Sequence, residues 1–451
     1  MTTIFATDAL LAEGWAANVR IKMQGAEILE VTHGAVPTAE DERHEIVIPA
    51  MPNLHSHAFQ RGMAGLTERR GASTDSFWSW RDIMYRFALT MTPDDVEAVA
   101  AQLYIEMLEA GFCRVGEFHY LHHDRDGQPY ANIAEMAERI AAAAAATGIS
   151  LTLLPVLYAH STFGGAAPNE GQRRFINDTA RYAKLLDASR AAVAPLDGAI
   201  VGVAPHSLRA VTPDELKDGA AMAGDAPIHI HIAEQVKEVE DCIAWSGARP
   251  VEWLLANASV GKNWCLIHAT HMTDDETVGM AHGGATAGLC PVTEANLGDG
   301  TFAARRFLGA HGKIGVGSDS NVLIGVADEL RQLEYSQRLA HRERNVLGLV
   351  NGSTGHRLFE EALKGGSIAL GAPTTGIAPG NQADFVSLSR RHPTLAGKAG
   401  DAILDSWIFA NGATVDGVWV RGRKLVESGR HVLREPIAAR YRAVMTELAK
   451  A

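Results

Sequence analysis

The chain has 451 residues, of which 47% are hydrophobic and 21% charged. That length suits one large barrel-type domain with a smaller partner, or two to three average domains, and the composition excludes a disordered or fibrous protein. A formal net charge of −12 argues against broad attraction to nucleic acid or anionic membrane surfaces.

The two ends of the chain share a texture. Residues 1–50 and 375–451 carry short apolar runs with frequent Gly, and "TVDGVWVRGRKLVESGRHVL" places DG and RGRK turn signals between alternating residues. Such runs read as hairpins. Both ends are expected to meet in one small β-sandwich-like domain, with residues 51–374 inserted into it. "MTTIFATDALLAEGWAANV" has no basic segment ahead of an apolar stretch, so no signal peptide is expected. No window approaches the run of about 20 apolar residues that a membrane helix requires. Cys113, Cys242, Cys265 and Cys290 form no CxxC pair, and they read as reduced, mostly buried thiols of a cytoplasmic protein.

Between the ends, strand-like runs alternate with helix-like ones. After "EIVIPA" come "CRVGEF" (113–118), "ISLTLLPVLY" (149–158), "AIVGVAP" (199–205), "PIHIHIA" (227–233), "WCLIHA" (264–269), "ATAGLCP" (285–291) and "KIGVGS" (313–318). Intervening stretches such as "DDVEAVAAQLYIEMLEAG" and "IAEMAERIAAAAAATG" end in Gly, the usual helix stop. Alternation of this kind implies a parallel sheet, and about eight units suit a closed (β/α)8 TIM-type barrel. An open doubly wound sheet would bring a Gly-rich phosphate loop after its first strand, and the sequence has none.

In such a barrel, chemistry gathers where strands end. The first strand ends in "MPNLHSHAFQRGMAGL", with His55 and His57 one residue apart, so both side chains project to one side of an extended segment. The fifth carries His229 and His231 with Glu234 three beyond. The sixth ends in His268 and the eighth runs into Asp319. Histidine nitrogens and a carboxylate suit zinc, iron or manganese better than calcium or magnesium. A metal there would make hydroxide available from water, with Glu234 as proton shuttle and Asp319 as acceptor of the water's proton. His229 lies deeper on the same face and reads as packing, His271, His282 and His311 as solvated. His119, His122 and His123 follow the second strand, within reach of the mouth.

HxH after the first strand, HxxE after the fifth, His after the sixth and Asp after the eighth resemble the amidohydrolase superfamily over the whole chain, and its single-metal branch in particular. Two-metal members add a carboxylated lysine at the fourth strand's end, where this chain reads "GVAPHSLRAV". Within the branch, "MPNLHSHAFQRGMAGL", "SFWSWRDIMY" and "APHSLRAV" look like the formimidoylglutamate deiminases, which hydrolyse N-formimino-L-glutamate to N-formyl-L-glutamate and ammonia in histidine degradation. The resemblance implies one divalent metal per chain, usually Zn2+, on His55, His57, His231 and Asp319. It implies proton transfer by Glu234, His268 and Asp319, substrate contacts by Gln60, Arg81, Tyr120, His206 and Arg209, and a homodimer.

A dicarboxylate substrate calls for arginines able to bind bidentately. Arg209 stands three residues past His206, and Arg81 lies in "TERRGASTDSFWSWRDIMYRF", a loop long enough to act as a lid packed by Trp78 and Trp80. Two rivals remain: a single-metal aminohydrolase of purine, pyrimidine, pterin or triazine-type rings, and a non-catalytic barrel used as a scaffold.

Overall fold

The computed structural model describes residues 1–70, 77–372 and 376–450. The chain opens on Thr2–Leu11 (β1) and Gly14–Gln24 (β2), an antiparallel pair extended by Glu27–Thr32 (β3), while Glu42–Pro49 (β4) lies parallel to β1. One residue later the path enters a parallel sheet. Met51–Ser56 (β5), Phe112–His119 (β6) and Ser150–Leu157 (β7) lie side by side, and two short pieces, Ile200–Val201 (β8) and Ala204–Pro205 (β9), both pair with β7. Ile228–Ile232 (β10), Trp264–His268 (β11), Thr286–Leu289 (β12) and Lys313–Val316 (β13) form a second parallel sheet.

Every residue of β5, β6, β7, β10, β11 and β12 is buried. That is why these strands read as unbroken apolar runs rather than alternating ones: helices cover the outer face. The helices start and stop where the sequence signals them. Pro93–Glu109 opens on a reciprocal Thr92–Asp95 cap with Pro at its first position, and Glu135–Thr147 ends on Gly148 at φ +80°. The fold is therefore mixed α/β with parallel sheets.

The two parallel sheets meet along two seams. On one side Val203 pairs with Ile228 and Ser207 with His231; on the other Ser56 pairs with Asp319. At the second seam the His57 N–H donates to the Asp319 carbonyl and the Asp319 N–H to the His55 carbonyl, each at 3.0 Å. A buried amide–hydroxyl network backs it. Asn53 Nδ2 donates to Ser318 Oγ (2.6 Å), and Asn321 Nδ2 reaches both the His57 and the Asp319 carbonyls (3.0 and 2.9 Å). Gly317 lets the strands approach this closely, since a Cβ there would stand 2.8 Å from both the nitrogen and the oxygen of His55.

Phe385–Ser389 (β14), Thr414–Val420 (β15), Arg423–Glu427 (β16) and Arg430–His431 (β17) return to β4, giving one sheet of order β17-β16-β15-β14-β4-β1-β2-β3. The segment ahead of β14 bonds back to β3 through Ile28 N–H to Asn381 O (2.9 Å) and Gly380 N–H to Ile28 O (2.8 Å). The sheet thus curls around a core of its own that includes Ile4, Ile21, Ile28, Phe385 and Trp419. The C-terminal region is not all β. Helix Asp401–Ala410 offers Asp405 to the start of helix Thr354–Ala369, accepting from Ser353 Oγ (2.9 Å) and Gly355 N–H (2.8 Å). Helix Arg434–Leu448 pairs Arg434 with Glu109 and Arg440 with Glu97 on Pro93–Glu109. The expected division at 374/375 falls on residues 373–375, outside the described residues. Among the described residues no helix is long and apolar enough to cross a membrane.

Substituting Gly317 with Ala should therefore open the Ser56–Asp319 seam. Overpacking of this kind costs about 1–3 kcal/mol, and a thermal melt of the variant that matched the wild type would show that the seam tolerates a side chain.

Candidate metal centre and active site

His55, His57, His231 and Asp319 come together at the ends of β5, β10 and β13, all buried. His55 Nε2 lies 3.2 Å from His57 Nε2 and 3.0 Å from His231 Nε2, and Asp319 Oδ1 is 3.4 and 3.2 Å from His55 and His57 Nε2. Two of these rings have their tautomer settled by the backbone. The Nδ1–H of His57 donates to the Phe118 carbonyl (2.9 Å) and that of His231 to the His206 carbonyl (3.1 Å), so each Nε2 turns a bare lone pair inward. Burial holds His55 down to about 3 and His231 well below the usual imidazole range, so neither lone pair is taken up by a proton at neutral pH. Lone pairs packed this closely repel unless a cation sits among them. All four donor atoms lie within 4.8 Å of one another, close enough for one ion to reach each of them, and three nitrogens with one carboxylate oxygen are a zinc-type donor set. The donor set fits a metal ion.

Beside this cluster stands an acid–imidazole chain. His268 Nε2 is 3.7 Å from Glu234 Oε1, and its Nδ1 is 3.3 Å from Glu294 Oε1. Burial opposes a charge on His268, but the carboxylates of Glu234, Glu294 and Asp319 outweigh it and push the imidazole up to about 10. Burial also pushes the Glu234 carboxyl up to about 7, against the pull of His268 and Arg209. Asp319 goes the other way. Burial disfavours its charge, yet the facing His55 and His57 rings prevail and hold it well below the usual carboxylate range. One carboxyl is poised to carry a proton near neutrality and its neighbour is kept ionised, the division of labour that acid–base chemistry requires.

The backbone is strained where these groups project. His268 (φ +65°) and Asp319 (φ +44°) are in the left-handed region, as is Ala233 (φ +50°) just ahead of Glu234. Non-glycine residues are held there only where surrounding structure over-determines them.

A cavity opens over the cluster, with His57, His231, Glu234, His268 and Asp319 on its floor. Gln60, on the short helix Ala58–Met63, donates from Nε2 to the Tyr120 hydroxyl (2.8 Å). Arg81, Tyr120, His206 and Arg209 also reach the wall. Residues 71–76 lie outside the described residues, but Phe77–Ala88 is a helix rather than the expected loop. Phe77, Trp80, Arg81 and Met84, spaced by three to four, set one of its faces to the cavity. Trp80 thus lines the cavity, where the sequence suggested only packing. Trp78 lies under both arginines, 4.5 Å from the Arg81 guanidinium carbon and 6.0 Å from that of Arg209.

The other histidines sort differently. His229 Nε2 donates to the Ala369 carbonyl (2.7 Å) and packs, as expected. His122 and His123 are spent on the carbonyls of Val156 and Ile176, and none of the 119–123 histidines lines the cavity. His282 and His311 are exposed, but His271 is half-buried with Nε2 on the Asp299 carbonyl (2.8 Å). Sequence reasoning missed Glu294, which holds His268. It also missed Glu117, pushed up to about 7 by burial, which accepts from the Ala58 N–H (2.6 Å) and fixes the turn after His57. Tyr158 and Phe175 on the wall were missed too. Only "TEAN", four residues past Cys290 in a strand-end context, offered a signal for Glu294.

This is the chemistry of a metal-assisted hydrolase, and comparison with known proteins agrees. The amidohydrolase family model matches residues 46–425, and the chain belongs to that family. Residues 1–45 match the model of the formimidoylglutamate deiminase HutF N-terminal domain. The formimidoylglutamate deiminase of Pseudomonas aeruginosa is 51% identical over 454 residues, covering 99% of this chain and 100% of that protein. The 8-oxoguanine deaminase of the same organism is 26% identical over 76% of this chain and 74% of its own. Among solved structures, an amidohydrolase from Brucella melitensis superposes with a TM-score of 0.98 at 62% identity over all of both chains. The atrazine chlorohydrolase from Arthrobacter aurescens, complexed with zinc, gives 0.83 at 21% identity over 99% of this chain and 100% of its own, a likeness of fold.

The raised Glu234 carboxyl has a consequence for stability. In an unfolded chain it ionises near 4.5, whereas the folded protein keeps its proton up to about 7. Between those values the folded state binds more protons than the unfolded one, so stability falls as pH rises through the window. Glu234→Gln has no such titration. Its melting temperature relative to wild type, at matched metal content, should climb from pH 4.5 to 7 and level off above; a pH-independent difference would contradict the burial argument.

Proposed function

We propose that the protein hydrolyses N-formimino-L-glutamate to N-formyl-L-glutamate and ammonia in histidine degradation. The full-length 51% identity to the Pseudomonas aeruginosa formimidoylglutamate deiminase carries this reading, with the match of residues 1–45 to the HutF N-terminal domain beside it. The cavity supports it independently. Two arginines over one tryptophan suit a small dianion better than a purine edge.

His55, His57, His231 and Asp319 would hold one divalent ion, and zinc is in keeping with three imidazole nitrogens and a carboxylate. When bound, the ion acts as a Lewis acid and lowers the pKa of a water towards neutrality. Arg209 and Arg81 take the two substrate carboxylates and fix the formimino carbon over the cluster, while Gln60, Tyr120 and His206 contact the remainder. Asp319, kept ionised, accepts the proton of the attacking water. His268, kept positive between Glu234 and Glu294, stabilises negative charge as it develops. Glu234, protonated near neutral pH, delivers its proton to the imino nitrogen. It then relays the hydroxyl proton of the tetrahedral carbon to the same nitrogen as the carbonyl forms and the C–N bond breaks. Ammonia leaves, and the proton held by Asp319 returns to Glu234.

The two parallel sheets with their seams are read as one closed (β/α)8 barrel spanning 51–374. The curled sheet is read as a smaller domain from 1–50 and 375–451, with its two helices leaning on the barrel. A cytoplasmic setting is in keeping with four buried free cysteines. A homodimer is in keeping with the exposed Leu339, Leu349 and Val350.

Purified protein should release ammonia from N-formimino-L-glutamate, carry about one zinc per chain, and size as a dimer by light scattering. Metal-loaded protein that deaminated a ring substrate and left formiminoglutamate untouched would replace the substrate assignment. Glu234→Gln should keep its metal and lose about 10²–10⁴ in kcat; turnover at the wild-type rate would remove Glu234 from the mechanism.

A further inference from the structure

Glu238 lies in the first turn of helix Val236–Ser246 and is fully buried. A carboxylate at that position commonly caps its helix at the solvent boundary, accepting one backbone N–H. Here Oε2 does accept a backbone bond, from the N–H of Glu234 (3.0 Å). The other oxygen has no such use. Oε1 is buried with no hydrogen-bond partner among the described residues, and it stands 4.0 Å from Arg209 Nε, which is also buried and without one. The two opposite charges thus face each other across 4.0 Å as an ion pair, with no hydrogen bond among the described residues to hold either atom elsewhere.

We propose that Glu238 is a positioning residue that ties Arg209 to Glu234, setting the substrate-carboxylate arginine and the proton-delivering acid in one rigid unit. The inference rests on the functional reading above. Its Oε1 faces the Nε edge of the guanidinium, which leaves the Nη1 and Nη2 end for a bidentate carboxylate in the cavity. Its Oε2 fixes the backbone of Glu234 at the turn where Ala233 is left-handed. Trp78 lies against the same guanidinium, so Arg209 is held on an edge and on a face. Arg209 loses little freedom when substrate binds, which is how preorganisation raises affinity.

The two oxygens make separable predictions. Glu238→Gln keeps an acceptor for the Glu234 N–H but removes the charge facing Arg209. KM for N-formimino-L-glutamate should rise about ten-fold, with kcat within about three-fold of wild type. Glu238→Ala loses both contacts, and KM and kcat should both suffer. Glu238→Asp keeps the charge one methylene further back, with an intermediate KM, and serves if the alanine variant does not fold. Calorimetric binding of the product, N-formyl-L-glutamate, to wild type, Glu238→Gln, Arg209→Met and the double variant closes the test. The glutamine change should cost about ten-fold in the presence of Arg209 and under about two-fold in its absence. Independent, multiplying penalties overturn the role of Glu238, as does a Glu238→Gln variant with wild-type KM. Wild-type protein that binds the product yet does not hydrolyse the formimino compound overturns the functional reading alone. Wild-type protein that binds no dicarboxylate overturns both.

Discussion

The site and the closure of its scaffold are made by the same hydrogen bonds. His55 and His57 exchange backbone bonds with Asp319, and His231 pairs with Ser207, at the two places where the parallel sheets meet. The residues that converge their lone pairs therefore also stitch one sheet to the other. Closing the seams brings four donors within 4.8 Å of one another, and a cation among the donors would in turn hold the seams shut. Gly317 and the Asn53–Ser318–Asn321 network serve both ends at once. They let the strands approach, and they satisfy the polar backbone that a left-handed Asp319 leaves irregular.

Electrostatic order follows from that compactness. Asp319, Glu234, Glu294 and Glu238 are all at most 5% exposed, with His268 and Arg209 as their nearby positive partners. In so dry a place each charge is worth far more than at the surface, and none is tolerable alone. The balance is met in pairs of unequal character. The histidine cluster favours the charge on Asp319, while burial outweighs the pull of His268 and Arg209 and raises the Glu234 carboxyl to about 7. Environment alone holds one carboxyl ionised and lets the other keep a proton near neutrality.

Much of this was legible in the sequence because it is local. The strands declared themselves as apolar runs of the right length, and each run falls on a strand of the parallel sheets. HxH and HxxE needed only the period-two rule and knowledge of where strands end. What escaped was non-local or compositionally plain. The helix over Phe77–Ala88 follows "GASTDS", a run that reads as loop as readily as cap, and its face is defined by the cavity it covers. Glu294 and Glu238 look like helix-start carboxylates, and only their burial and their second partners distinguish them. Helices Asp401–Ala410 and Arg434–Leu448 lie in a region whose glycines and turn dipeptides pointed to hairpins. The first is fixed by Asp405 at the start of a neighbouring helix, the second by ion pairs to another.

The same distinction bears on specificity. The metal-binding cluster and its acid–imidazole neighbour describe a reaction, water added to a carbon–nitrogen bond, without choosing among substrates. On the proposed reading the choice lies in side chains set on the wall by different elements: Gln60 by the turn after β5, Arg81 by a helix with Trp80 at its side, Arg209 by the segment after β9. Arg81 and Arg209 share contact with one ring, Trp78. Cation–π contact fixes a guanidinium's face without consuming its N–H donors, so both forks stay free for carboxylates. A flat ring in this cavity would bring no anion to half-buried Arg81 or to the Nη end of buried Arg209, whereas a dicarboxylate could bring one to each.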